Sequence, residues 1–90
     1  MINNVEQIRQ SHQGFWFSPD TMRFFRSRIE DDGNVYGGKY FVTSEKGPNS
    51  IRAYTVREYD LIADEISTVG EFMGWSSLED AIEKAKELGR

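Results

Sequence analysis

IRAYTVREY (residues 51–59) is the stretch on which the reading of the fold turns. It is β-branched and aromatic with charges interleaved, the composition of a half-buried strand. DLIAD (60–64) follows as a connection, and EISTVGEF (65–72) reads as the next strand, with Gly70 as a bulge. Upstream, KYFVTSE (39–45) is a third strand. It is separated from the first by KGPNS (46–50), whose Pro48 cannot sit in a central strand. Before the turn EDDGN (30–34) and the Gly37–Gly38 bend, FFRSRI (24–29) alternates. Phe25, Ser27 and Ile29 fall on one side and Phe24, Arg26 and Arg28 on the other, which predicts a fourth strand.

The two ends of the chain read as helix. In WSSLEDAIEKAKELGR (75–90), Ser76 and Glu79 have the spacing of a reciprocal capping box. Leu78, Ala81, Ile82, Ala85 and Leu88 then form one apolar stripe, and Gly89 ends the helix. Asn3 or Asn4 can cap a short helix running to about His12, and Ser18-Pro19-Asp20 is a second, sharper helix start. GFWF (14–17) threads aromatics between the layers. The expected architecture is α+β: a single domain, residues 1–90, with a four-stranded antiparallel meander. A C-terminal amphipathic helix lies on one face, and a short N-terminal helix and its flanking segment cover an edge or one end.

Composition narrows the function classes. There is no cysteine, which removes thiolate nucleophiles, disulfide scaffolds and Cys-ligated metals. His12 is the only histidine, so acid–base chemistry near neutral pH has few carriers and a non-enzymatic role is expected, with no cofactor. No apolar run approaches the ~20 residues of a membrane span, and MINNVEQIRQ has no secretory apolar region. A cytoplasmic protein without membrane contact is the expectation. The formal charge is −4, unevenly distributed. Residues 23–57 carry seven cations against four anions, a net +3, whereas residues 58–90 carry three against nine, a net −6.

That asymmetry suggests two binding surfaces. Arg26, Arg28, Arg52 and Arg57, with Tyr40, Tyr54 or Tyr59 nearby, could line an open sheet face that stacks bases and holds phosphates. GGKYFVTS (37–44) lacks the stacking aromatics of an RNA-recognition motif, with Lys39 and Ser44 where they should stand. The same arginines could instead pair across strands with Glu45 and Glu58 on a solvated face, or dock a protein. The acidic run Glu58 to Glu87 could imitate a phosphate track and occupy a basic groove.

MRFFRSRI (22–29), VYGGKYFVTSE (35–45), RAYTVREYD (52–60) and ISTVGEFMGWSS (66–77) together resemble a group of small uncharacterised proteins of tailed phages and prophages. The resemblance implies a bacterial host cell and a stoichiometric binder of a host or phage macromolecule. The most specific version is an inhibitor of a bacterial defence or nucleic-acid-processing complex. On that reading the partner is a host protein or complex, the chain is a monomer or homodimer, and docking uses Arg26, Arg28 and Arg57 with Tyr40, Tyr54 and Trp75 as anchors, since Arg, Tyr and Trp dominate interfaces. The alternative is a nucleic-acid-binding accessory protein using the same basic-aromatic face.

Overall fold

A computed structural model describes residues 2–12, 16–47 and 51–90, so Pro48 and the first half of GFWF lie outside the described residues. The elements in chain order are α1 (Val5–His12), α2 (Pro19–Phe24), β1 (Arg28–Ile29), a 3-10 turn (Asp31–Gly33), β2 (Tyr40–Lys46), β3 (Arg52–Asp60), β4 (Glu65–Val69) and α3 (Leu78–Leu88). The strands form one antiparallel sheet in the order β1-β2-β3-β4, the expected meander.

Register decides which residues meet which layer. Val42 stands opposite Val56, and Val56 opposite Val69. These valines share a face with Tyr40 and Tyr54, and α3 lies on that face. Ala81 and Ala85 are fully buried against it, because two small residues one turn apart let the helix backbone come close. Leu78, Ile82, Leu88 and Trp75 complete this layer. The helix starts one residue later than the capping box implies: Ser77 is the N-cap, and its Oγ accepts from the Asp80 amide at 3.3 Å.

The other face corrects the expected position of the N-terminal segment. Odd-numbered positions of β2 and β3 put Phe41 and Tyr59 on this side, and an uncovered apolar patch of that size would be costly in water. Val5 and Ile8 of α1 bury it, together with Val35, Ile29 and Ile66. The segment therefore covers the second face rather than an edge, and the sheet has a layer on each side. The Val35 amide donates to the Asn3 carbonyl at 3.1 Å and pins the start of α1 to this layer.

The largest departure concerns residues 24–27. They are the end of α2 and its cap, and only Arg28–Ile29 pair with β2. Ser18 Oγ accepts from the Thr21 amide and Pro19 takes the first helical position, as expected. The helix then closes in a Schellman motif: the Ser27 amide donates to the Met22 carbonyl at 3.0 Å and the Arg26 amide to the Arg23 carbonyl at 3.3 Å. Arg26 holds the left-handed position at φ 47°, where glycine is the usual occupant.

On the turn before β2, the Tyr36 hydroxyl donates to Asp31 Oδ2. Burial, then the hydrogen bond and the negative charge of Asp31, raise this phenol from 10.0 to about 12. The folded pKa exceeds the unfolded one, so the contribution of Tyr36 to stability is complete below pH 10 and is lost as pH rises towards 12. Asp31→Ala removes two of the three influences that raise it, the hydrogen bond and the charge. In an ultraviolet titration of the phenolates, we expect the variant to lose one phenol proton at distinctly lower pH than the wild type. Coincident curves would show that Asp31 does not hold the Tyr36 proton.

Candidate functional site

The six residues expected to form one docking face are divided by the structure. Arg57 is 1% exposed, so it cannot contact a partner, which corrects its assignment to an open face. It lies opposite Phe41 on the face covered by the N-terminal layer. Its Nε donates to Thr43 Oγ1 at 3.0 Å and its Nη1 to Thr68 Oγ1 at 2.8 Å, while Nη2 stands 3.5 Å from Glu45 Oε2 without a hydrogen bond. The guanidinium sits 4.0 Å from the centre of the Phe17 ring and 5.6 Å from that of Phe72. Burial lowers its pKa to about 10 against the opposing pull of Glu45, so it remains a cation at neutral pH.

Glu45, fully buried, is the centre of this network. Its Oε1 accepts from Thr55 at 2.6 Å and its Oε2 from Ser27 at 2.6 Å. Ser27 Oγ accepts from the Trp16 indole at 2.9 Å, and Thr55 Oγ1 accepts from the Met73 amide at 3.0 Å. The cross-strand partner Glu45 foreseen for an arginine is thus present, but in the interior rather than on a solvated face.

Tyr40, Tyr54 and Trp75 lie apart from Arg57, on the opposite face of the sheet. They are half-buried in the layer beneath α3, where Tyr54 and Trp75 exchange backbone hydrogen bonds of 2.7 and 3.1 Å. Neither face of the sheet is left open for bases to stack across, because both are occupied by layers of the chain itself.

Arg26 and Arg28 do come together, at the end of the sheet where β2 finishes and β3 begins. Both are exposed. The Lys46 amide donates to the Phe25 carbonyl at 2.6 Å, and Arg52 Nη1 donates to the Arg26 carbonyl at 3.2 Å and to Ser44 Oγ at 2.7 Å. Ser44 Oγ in turn donates to Glu30 Oε1 at 2.6 Å, which also accepts from Arg28 Nε at 2.8 Å. Arg23 pairs with Asp20. Five cations, Arg23, Arg26, Arg28, Lys46 and Arg52, thus gather around one end, where Glu30 and Asp20 answer two of them.

Sequence reasoning missed the apolar part of this end. Phe24 is 66% and Ile51 65% exposed, and Phe72 is partly exposed. Phe24 packs edge-on against Phe25 at 4.9 Å, Phe25 against Phe72 at 5.1 Å, and Phe72 against Phe17 at 5.5 Å. The inner rings cover Arg57 and the outer one, Phe24, projects into water. The signal was present in the helix start at Ser18: one and a half turns of helix carry Phe24 away from the sheet, whereas a strand would have laid it flat.

Among the described residues, no three His, Asp or Glu side chains converge to hold a metal ion, and no helix is long and apolar enough to cross a membrane. Fold and surface define a small α+β protein whose meander is covered on both faces and whose exposed apolar side chains stand near its hairpin ends. The chain belongs to a family of unknown function (DUF7447), which matches residues 1–86. No curated protein and no solved structure matches it.

Proposed function

We propose that this protein acts by stoichiometric, non-enzymatic binding to a host or phage macromolecule, as a phage-type accessory protein in a bacterial cytoplasm, with a protein complex of defence or nucleic-acid processing as its target. The observation that carries the binding part is Arg26. An exposed arginine stands at φ 47°, where glycine would relieve strain, and it adjoins Phe24, an aromatic ring spread into solvent. A costly backbone choice beside an exposed ring suits a surface kept for recognition, and Arg and aromatic side chains supply most interface energy. The resemblance to tailed-phage proteins supports the rest of the reading. Inhibition would then be steric, by a folded domain seated over a surface its target needs.

Arg26→Glu with Arg28→Glu is expected to leave the unfolding midpoint nearly unchanged while abolishing capture of the partner. Arg26→Gly should raise stability slightly, by up to about 1 kcal/mol, and still weaken capture. The measurement is an affinity pull-down of the tagged protein from bacterial lysate, with and without nuclease, read by mass spectrometry beside the unfolding curves. One protein complex that survives nuclease and is lost with the double variant supports this reading. Recovery that disappears with nuclease transfers the function to nucleic-acid binding. A double variant that unfolds would make the two arginines structural.

A further inference from the structure

The large apolar side chains in contact with water fall into two groups among the described residues. Phe24, Ile51 and Phe72 belong to the basic end. Leu61, 67% exposed, and Ile62, 99% exposed, form the tip of the β3–β4 hairpin. The two groups lie towards opposite ends of β3, which begins at Arg52 and finishes at Asp60. Eight residue steps of strand separate those ends by roughly 26 Å, in a molecule whose longest extent is 37 Å. The tip therefore cannot fold back onto the basic end of its own chain.

Their charges are opposite. Residues 58–65 contain Glu58, Asp60, Asp64 and Glu65 and no cation. Lys39 is the one cation lining the hollow beside the tip. The basic end carries Arg23, Arg26, Arg28, Lys46 and Arg52. The tip is also held in shape. Asp60 Oδ1 accepts from the amides of Ile62 at 3.0 Å and Ala63 at 3.1 Å, and the Tyr59 hydroxyl donates to Asp64 Oδ1 at 2.6 Å. A loop already ordered loses little conformational freedom on docking.

We propose that copies of this chain associate head to tail: the acidic tip of one, Leu61 and Ile62, seats on the basic aromatic end of the next, against Phe24 and Ile51, with Asp60 and Asp64 facing Arg26 and Arg52. The contact joins two different surfaces, so it leaves a free tip and a free basic end on every assembly and continues beyond a dimer unless it closes into a ring. One hairpin tip buries less than the ~1,200 Å² of a standard interface, which puts the association in the weak class and makes it concentration-dependent. Because exposed charges face each other across it, added salt weakens it. The inference stands apart from the proposed function, although both use the basic end, so self-association and partner capture would compete.

The test is sedimentation analysis of the full chain up to millimolar concentration, at low and high salt, on the wild type and two blocked variants. Ile62→Asp disables the tip; Phe24→Ser with Arg26→Glu disables the basic end. Circular dichroism checks that both fold, with Leu61→Ser as a second tip variant. The wild type is expected to grow in mass with concentration and to lose that growth in salt, while each variant alone stays monomeric. An equimolar mixture of the two variants restores association, because each supplies the end the other lacks, and it stops at the dimer. A wild type that is monomeric throughout overturns the proposal. So does an Ile62→Asp protein that associates like the wild type, or a mixture that stays monomeric while the wild type assembles.

Discussion

Glu45→Ala is expected to lower the free energy of unfolding by about 3–5 kcal/mol, because it leaves the buried Arg57 cation without its counter-charge. A chain of this length has roughly 5–13 kcal/mol in all, so the variant stands near the edge of folding at physiological temperature. Arg57 would keep only its bonds to Thr43 and Thr68 and its place against Phe17 and Phe72. The carboxylate also organises Ser27 and Thr55, so the loss extends to the Trp16 and Met73 contacts behind them. Replacing both charges, as Glu45→Leu with Arg57→Met, should recover much of the loss, since two desolvation costs disappear together. Recovery stays incomplete because the hydroxyls of Ser27, Thr43, Thr55 and Thr68 would each lose one hydrogen-bond partner. Urea unfolding of the two single variants and the double variant measures the coupling. A Glu45→Ala loss below about 1 kcal/mol would mean that the pair is solvated in solution.

The pH dependence of the pair has a sign opposite to that of Tyr36. Arg57 has a folded pKa below its unfolded one, so burying its charge costs stability below pH 10, and that cost is relieved as pH rises past about 10. Tyr36 loses its stabilising contribution over nearly the same window. A melting temperature would register the difference of the two, which is why the change in phenolate absorbance between wild type and Asp31 variant is the measurement that isolates Tyr36.

Gly37→Ala is the second large expected effect, about 2–5 kcal/mol, from two sources that add. The residue sits at φ +61°, where a β-carbon costs roughly 1–2 kcal/mol. That β-carbon would also lie 2.4 Å from the Gly89 carbonyl oxygen and 2.6 Å from its Cα. Neither atom can swing aside, because Gly89 caps α3 by donating to the Ala85 carbonyl. The helix end would have to lift from the 36–38 turn, and overpacking of this kind costs a further ~1–3 kcal/mol. Gly70→Ala is the control: φ is +75°, but nothing lies within 4 Å of the added carbon, so only the backbone term of roughly 1–2 kcal/mol applies. Equal losses in the two variants would show that strain alone, and not the approach of two backbones, explains Gly37.

The strands β2, β3 and β4 and the helix α3 were legible because each repeats a period several times over, and α2 could be placed from Ser18 and Pro19. Residues 24–27 were not, for a specific reason. The usual stop signal of a Schellman motif is a glycine, and here Arg26 takes the position, so a helix end was read as a strand with alternating faces. The same misreading turned Phe25 and Ser27 into sheet residues and hid the exposure of Phe24. Arg57 failed differently. Its position in β3 was foreseen, but alternation distinguishes two faces and does not say that both are covered. Its pairing with Glu45 was foreseen, but on a solvated face rather than in the interior. The basic character of residues 23–57 was correctly read, yet five of its seven arginines and lysines, Arg23, Arg26, Arg28, Lys46 and Arg52, converge on one end while Arg57 is buried and Lys39 lies elsewhere.

The two sides of the sheet differ in what water gains by entering. Under α3 the lining is valine, alanine and aromatic, and parting the helix from the strands would wet hydrocarbon with nothing returned. Under Trp16, Phe17 and Phe72 the same excursion would hydrate a carboxylate, a guanidinium and several hydroxyls, which recovers part of its own cost. Breathing of this molecule is therefore lopsided: amides next to the charged side exchange their hydrogens by small openings, while those beneath the long helix wait for larger ones.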